Sequence, residues 1–222
     1  IIYLVLFIVY IKYKIMYLYH IMAENTFVDL DLQKLHIKRI KKKETITSYC
    51  IFQRLYDKQT NTSYNKRKSI SLRNIYIPFG VEFYNNNSII NIELRRHTCN
   101  EHHNYYSEIS AFESDMDNKD ILNNICTKGD IQSDIIGKGY YPNIRDSKLG
   151  HIIRAHISTT PEVYEMVCGR DKKLKNIKDR RNVSDIKNIK ANVTIELGTL
   201  WISDNNYGYM WILKSVEILQ TY

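Results

Sequence analysis

The densest chemistry in this chain is cationic. Arg170, Lys172, Lys173, Lys175, Lys178, Arg180, Arg181, Lys187 and Lys190 fall in one stretch that holds only three acids, Asp171, Asp179 and Asp185. Charge at that density stays in water, so the stretch is either a solvated loop or a track for phosphates, each of which releases counterions when neutralised. Aromatic rings stand beside further cations. Tyr140, Tyr141, Arg145 and Lys148 precede Arg154 and His156, which share one face of an expected strand. Phe83 and Tyr84 are expected to face Arg95 and Arg96 across a hairpin, and Trp201, Tyr207, Tyr209 and Trp211 sit at the last hairpin. Rings interleaved with cations suit sequence-tolerant binding of unpaired bases, because every base offers a π-face. Tyr207 and Tyr209, next to a turn, are expected to be exposed; Trp201 and Trp211, in apolar surroundings, are expected in the core.

Two other clusters have residue types that suit metal chemistry. His97, Cys99, His102 and His103 lack the paired spacing of a structural zinc site, and no second ligand pair accompanies them. Glu113, Asp115 and Asp117 have the composition of a Mg²⁺ site for nuclease chemistry, but acids in a polar loop are usually solvated. No phosphate-cradling glycine loop is present, nor a G-x-S-x-G, H-E-x-x-H or kinase motif. The expectation is a non-catalytic protein without metal or cofactor.

Placing these side chains calls for strands. The chain has 222 residues, 44% of them hydrophobic and 25% charged, enough for one sizeable core. Apolar residues recur mostly with period two through Val28, Leu30 and Leu32; Leu35, Ile37 and Ile40 continue the run, and 45–56 and 70–77 read as further strands. Residues 57–69 read as a polar loop. Val81 to Tyr84 and Ile89 to Arg95 flank an Asn run that tolerates left-handed backbone, hence a hairpin. The stretch 97–130 is polar, with a short helix near 120–126. Another strand is expected at 152–157. Thr159, Thr160, Pro161 and Glu162 look like a helix start, with Gly169 as its stop. A long hairpin of 192–203 and 207–219 closes the chain, and few helices with many short strands favour a small barrel or sandwich.

The net charge of +8 favours polyanionic partners. Eighteen tyrosines, with plentiful Ile, Asn and Lys, are also what an AT-rich genome produces. Cys50, Cys99, Cys126 and Cys168 form no CxxC pair, and we read them as reduced thiols of an intracellular protein. The apolar run of Ile1 to Ile11 is shorter than the roughly 20 residues that a membrane-spanning helix needs. Met22-Ala23 reads as a translation start. Residues 1–21 are therefore expected to be a translated leader or an extension, and 22–222 a single β-barrel domain with a basic insertion at 170–190.

Two stretches carry a family resemblance. Pro78 to Tyr84 with Ile89 to Leu94 is one, and the final hairpin, with Leu200-Trp201-Ile202 and Tyr207-Gly208-Tyr209-Met210-Trp211, is the other. Together they resemble the OB-fold single-stranded DNA-binding proteins of large nucleo-cytoplasmic DNA viruses and their bacteriophage-type relatives. The resemblance implies an OB-like five-stranded antiparallel barrel with insertions, mainly β with short helices. It also implies a basic, aromatic-lined groove for single-stranded DNA, or RNA, and a role in replication, recombination or repair. Replication proteins would be further partners, and the host nucleus or a cytoplasmic virus factory the location. Such proteins often end in an acidic tail, whereas this chain ends Gln220-Thr221-Tyr222. On this reading Arg95, Arg96, Arg154, Lys172, Lys173, Lys175, Arg180 and Arg181 hold phosphates. Phe83, Tyr140, Tyr141, Tyr207 and Tyr209 stack on bases. A viral assembly protein that binds other proteins, and a Mg²⁺-dependent nuclease, are the competing readings.

Overall fold

The computed structural model describes residues 35–42, 45–84, 87–94, 105–125, 131–148, 150–157, 162–167, 170–173 and 186–221. Within them the protein is mainly β. In chain order the strands are β1 (Leu35–Lys42), β2 (Thr47–Asp57), β3 (Thr62–Lys66), β4 (Ser69–Ile77), β5 (Val81–Tyr84) and β6 (Asn87–Leu94). Three short helices follow: α1 (Tyr105–Asp117), α2 (Lys119–Ile125) and α3 (Gln132–Ile135). The remaining strands are β7 (Gly139–Tyr140), β8 (Arg145–Ser147), β9 (Gly150–His156), β10 (Glu162–Val167), β11 (Arg170–Lys173), β12 (Ile189–Ile202) and β13 (Asn206–Thr221).

The final hairpin is the spine on which the other strands hang. Its two strands alternate inward and outward residues, and β-bulges shift the parity, on β12 between Leu197 and Leu200. Ala191, Val193, Ile195 and Leu197 face the core from β12; Tyr207, Tyr209, Trp211 and Leu213 do so from β13. Along its free side β12 is bordered first by β4 and then by β2, both antiparallel. Along its other side β13 meets β7, β9 and β10 in turn, all parallel. The ladders also return on themselves. β4 pairs with β6, β6 with β9, β9 with β13, β13 with β12, and β12 with β4. Ile90, Ile92, Leu94, Ile153 and Ala155 fill the interior from β6 and β9. Helix α1 packs Ile109, Phe112 and Met116 against that core, the spacing of one helix face. Phe112 meets Tyr209 edge-on at 5.2 Å.

The two predicted hairpins are present, with β5–β6 and β12–β13 in antiparallel register. Three expectations are overturned. The region 57–69 is not one loop, because β3 lies there and pairs with the end of β2 as a two-stranded ribbon. Polar composition misleads here, since both faces of a projecting ribbon are wet, and every residue of β3 is exposed. The polar stretch after His97 contains α1, which turns only Ile109, Phe112, Glu113 and Met116 inward, too few for a helical period to stand out from its polar residues. The helix expected from Thr159 to Gly169 is strand β10, which pairs with β13 through Glu162–Glu165. The chance of a ladder outweighs a local capping signal, and Val163 and Val167 are β-branched. All thirteen strands of the described residues belong to one sheet. Residues 1–34 lie outside those described, as do Cys99, Cys126 and Cys168; Cys50 is a free, half-buried thiol.

Candidate nucleic-acid interface

On the outer face of the spine, strand register builds a row of side chains. Leu200 and Ile202 point into the core, so Trp201 between them must point out. Its cross-strand neighbours are Gly208 on β13 and Ser48 on β2. Gly208 lets the indole lie flat against the strand: a Cβ there would sit 2.8 Å from the Trp201 ring and 2.9 Å from the Tyr141 carbonyl oxygen. Tyr141 also packs on Trp201, with ring centroids 5.9 Å apart at 60°.

The cations arrive from β8 and β9. Arg145 lies over the Tyr141 ring, 4.9 Å from its centroid, and donates a 2.6 Å hydrogen bond to its hydroxyl. Arg154 and His156 point outward from β9 while Ile153 and Ala155 point inward. Arg154 is aimed by a relay across three strands. Its Nε donates to Asn91 Oδ1 at 3.3 Å, and Asn91 Nδ2 donates to Glu82 Oε1 at 2.8 Å. Burial, with the Arg154 charge adding to it, holds His156 below its ordinary value, so the ring is uncharged at neutral pH.

These side chains wall one cavity of about 580 Å³. Trp201, Tyr141, Arg145, Arg154 and His156 supply rings and charge; Ile46, Ile89 and Met210 supply apolar lining. The loop that carries Tyr141 and leads into β8 at Arg145 is pinned by Glu113. Its Oε1 accepts from the backbone N–H of Asn143 at 2.6 Å and of Ile144 at 3.2 Å, and from the Tyr209 hydroxyl at 3.1 Å. Burial raises the Glu113 carboxyl above its usual range even against those three donors. This carboxylate faces the protein interior, which corrects its reading as a member of a solvated acidic loop. Among the described residues no three His, Cys, Asp or Glu side chains group as metal ligands.

Of the residues expected to bind, Tyr141 and Arg154 meet in the cavity wall. Tyr207 and Tyr209 do not stack on anything from solvent: both are buried, because their parity on β13 is that of Trp211. Burial raises the Tyr207 hydroxyl to about 12, and it donates to the Asp117 carbonyl. Tyr209 and Tyr140 are also raised, by burial first. Tyr140 packs inward on Tyr207, at 5.5 Å. Phe83 is exposed but lies on the face of β5 opposite to Glu82 and the cavity. It stands across from Ser88, not across from Arg95 and Arg96 as expected. Lys172 and Lys173 belong to β11, at the end of the sheet beyond β10. Arg95, Arg96, Lys175, Arg180 and Arg181 lie outside the described residues. Trp201 was missed as a site residue, although its place between Leu200 and Ile202 carried the signal.

No protein-family model matches this chain, and no curated protein matches it significantly. Among the described residues no helix is long and apolar enough to cross a membrane.

Proposed function

We propose that this protein binds single-stranded DNA, without cleaving it, in the cavity walled by Trp201, Tyr141, Arg145 and Arg154, and that its cycle of five strands is an OB-like barrel. The observation that carries the reading is the meeting of two partly exposed rings with two arginines in one cavity. Rings take bases and guanidinium groups take phosphates, which together describe a single strand rather than a duplex whose bases are stacked away.

The position of the cavity supports the barrel. OB-folds bind oligonucleotides on the face of their second and third strands, with help from the loops after strands one and four. In the cycle here the second and third strands are β6 and β9, which line the cavity with Asn87, Ile89, Arg154 and His156. Glu82 comes from the connection between the first and second strands, and Trp201 and Met210 from either side of the turn between the fourth and fifth. Neutral oligosaccharides use that face too, but two arginines favour a polyanion. A role in viral DNA replication, recombination or repair, in the nucleus or a virus factory, goes with this reading.

A fluorescence-anisotropy titration with oligo-dT, run beside a duplex of equal length, tests it. Tighter binding of the single strand, weakening steeply with salt, is expected. Equal or better binding of the duplex overturns it.

A further inference from the structure

The cavity is not a closed bowl, because one of its walls continues. Ile46 and Ser48 line it just before and at the start of β2, and alternation along β2 puts Cys50, Phe52, Arg54 and Tyr56 on the same face as Ser48. The opposite parity, Thr47, Tyr49 and Ile51, is buried. Register extends the face sideways. Lys38 of β1 stands across from Cys50, and His36 across from Phe52, their rings stacked at 5.8 Å. Farther out, Arg54 donates to Ser63 Oγ at 3.2 Å, and Tyr56 is 60% exposed at the ribbon end.

The ribbon of β2 and β3 has no structural purpose visible in its packing. Strand β3 is exposed throughout and the end of β2 is at most half-buried, and a two-stranded ribbon gains little stability in water. Yet this one carries Arg54, Lys58 and Lys66 exposed to solvent, together with Tyr56 and Tyr64. Its acid, Asp57, is committed to the turn, where it accepts from the Gln59 N–H and the Thr60 hydroxyl, both at 2.9 Å. Charge and rings thus alternate from the cavity outwards with no acid on the β2 face between Ser48 and Tyr56.

We infer that a single-stranded polynucleotide seated in the cavity continues along this face of β2, so that Lys38, Phe52, Arg54 and Tyr56 form a second, outer half of the binding site. The inference rests on the reading of the cavity above. From Ser48 to Tyr56 the strand runs roughly 26 Å at about 3.3 Å per residue. At about 3.4 Å per phosphate in a stacked strand, that is room for about eight nucleotides beyond the cavity. A short oligonucleotide fills the cavity alone, and a longer one engages both halves.

The test compares dT4 with dT12 by anisotropy across a salt series, for the full chain and three variants. In the wild type the salt slope for dT12 should exceed that for dT4 by at least about 1.4, the share of two added cations on single strands. Lys38→Glu with Arg54→Glu should bind dT4 within twofold of wild type but lose tenfold or more on dT12, with the extra slope gone. Phe52→Ala with Tyr56→Ala should lose dT12 affinity with the slope kept, and guards against misfolding of the charge variant. Wild-type behaviour of both variants on dT12 overturns the outer half, as does tighter binding of a 12-base-pair duplex than of dT12. Arg154→Ala separates this from failure of the cavity reading: if it leaves dT4 binding intact, the cavity is wrong, whatever the β2 face does.

Discussion

The indole of Trp201 lies directly against the backbone of Gly208, its partner across the β12–β13 ladder, where any Cβ would come within 2.8 Å of the ring. A glycine on a strand weakens it by entropy and lost packing unless something fills the space. Here the ring fills it, and the same residue lines the cavity. Gly208→Ala should therefore push Trp201 out of line, with the Tyr141 carbonyl oxygen limiting any adjustment. The expected cost is about 1–3 kcal/mol of stability, as for other overpacked sites, with a shift in tryptophan emission. Thermal unfolding and fluorescence spectra check both; an unshifted spectrum at unchanged stability contradicts the packing described.

Stacking predicts a different pattern at the ring itself. Trp201→Ala removes a half-buried side chain, so the fold should survive while oligo-dT affinity falls by about 1–3 kcal/mol, the usual worth of one base–aromatic stack. Tyr141→Ala should do the same and also release Arg145. Equal loss of stability and binding would mean that the rings are only structural.

Arg154 is expected to act through charge. Arg154→Ala should weaken oligonucleotides of all sequences alike and reduce the salt slope by about 0.7, one phosphate's share on a single strand. Asn91→Ala, which breaks the relay that aims Arg154, should weaken binding with little change of slope. A salt series on both variants distinguishes charge from aim.

Glu113 supplies a pH-dependent prediction. Its folded carboxyl is raised above its unfolded value, chiefly by burial, so the folded state binds the proton more tightly. Stability linked to this group is fully present below the ordinary carboxyl range and lost as pH rises through the raised value. Glu113→Gln keeps an oxygen to accept from Asn143, Ile144 and Tyr209 without the buried charge. It should match the wild type in acid and be the more stable protein at neutral pH. Glu113→Ala leaves two backbone N–H groups without their acceptor and should cost about 1–3 kcal/mol. Chemical denaturation at pH 4 and pH 7 tests the sign; a Gln variant less stable at pH 7 contradicts it.

Period-two alternation made most of the spine legible. The hairpins on Asn85–Asn87 and Asp204–Asn206 could be read from turn residues between β-branched runs. Depth was not legible, because parity must be counted from the right residue. Tyr207 and Tyr209 sit next to a turn and still point inward with Trp211, whereas Trp201 in an apolar run points outward. The cavity was half visible: Tyr141, Arg145, Arg154 and His156 stood out as a basic, aromatic group. What brings Trp201 to them is the pairing of β13 with the distant strands β7 and β9, which no local pattern contains. Glu113 was hidden for the same reason. Its partners, Asn143, Ile144 and Tyr209, are 30, 31 and 96 positions away along the chain.

The chain has two tryptophans, and only one of them borders the cavity. Trp211 is fully buried. Intrinsic fluorescence thus reports on Trp201 when a ligand enters. Titration with oligo-dT should quench the emission saturably, with the same midpoint as anisotropy, and Trp201→Phe should abolish the quench while binding persists. Oligo-dT that binds with no change in emission, or a quench that survives in Trp201→Phe, would contradict a strand seated against this ring.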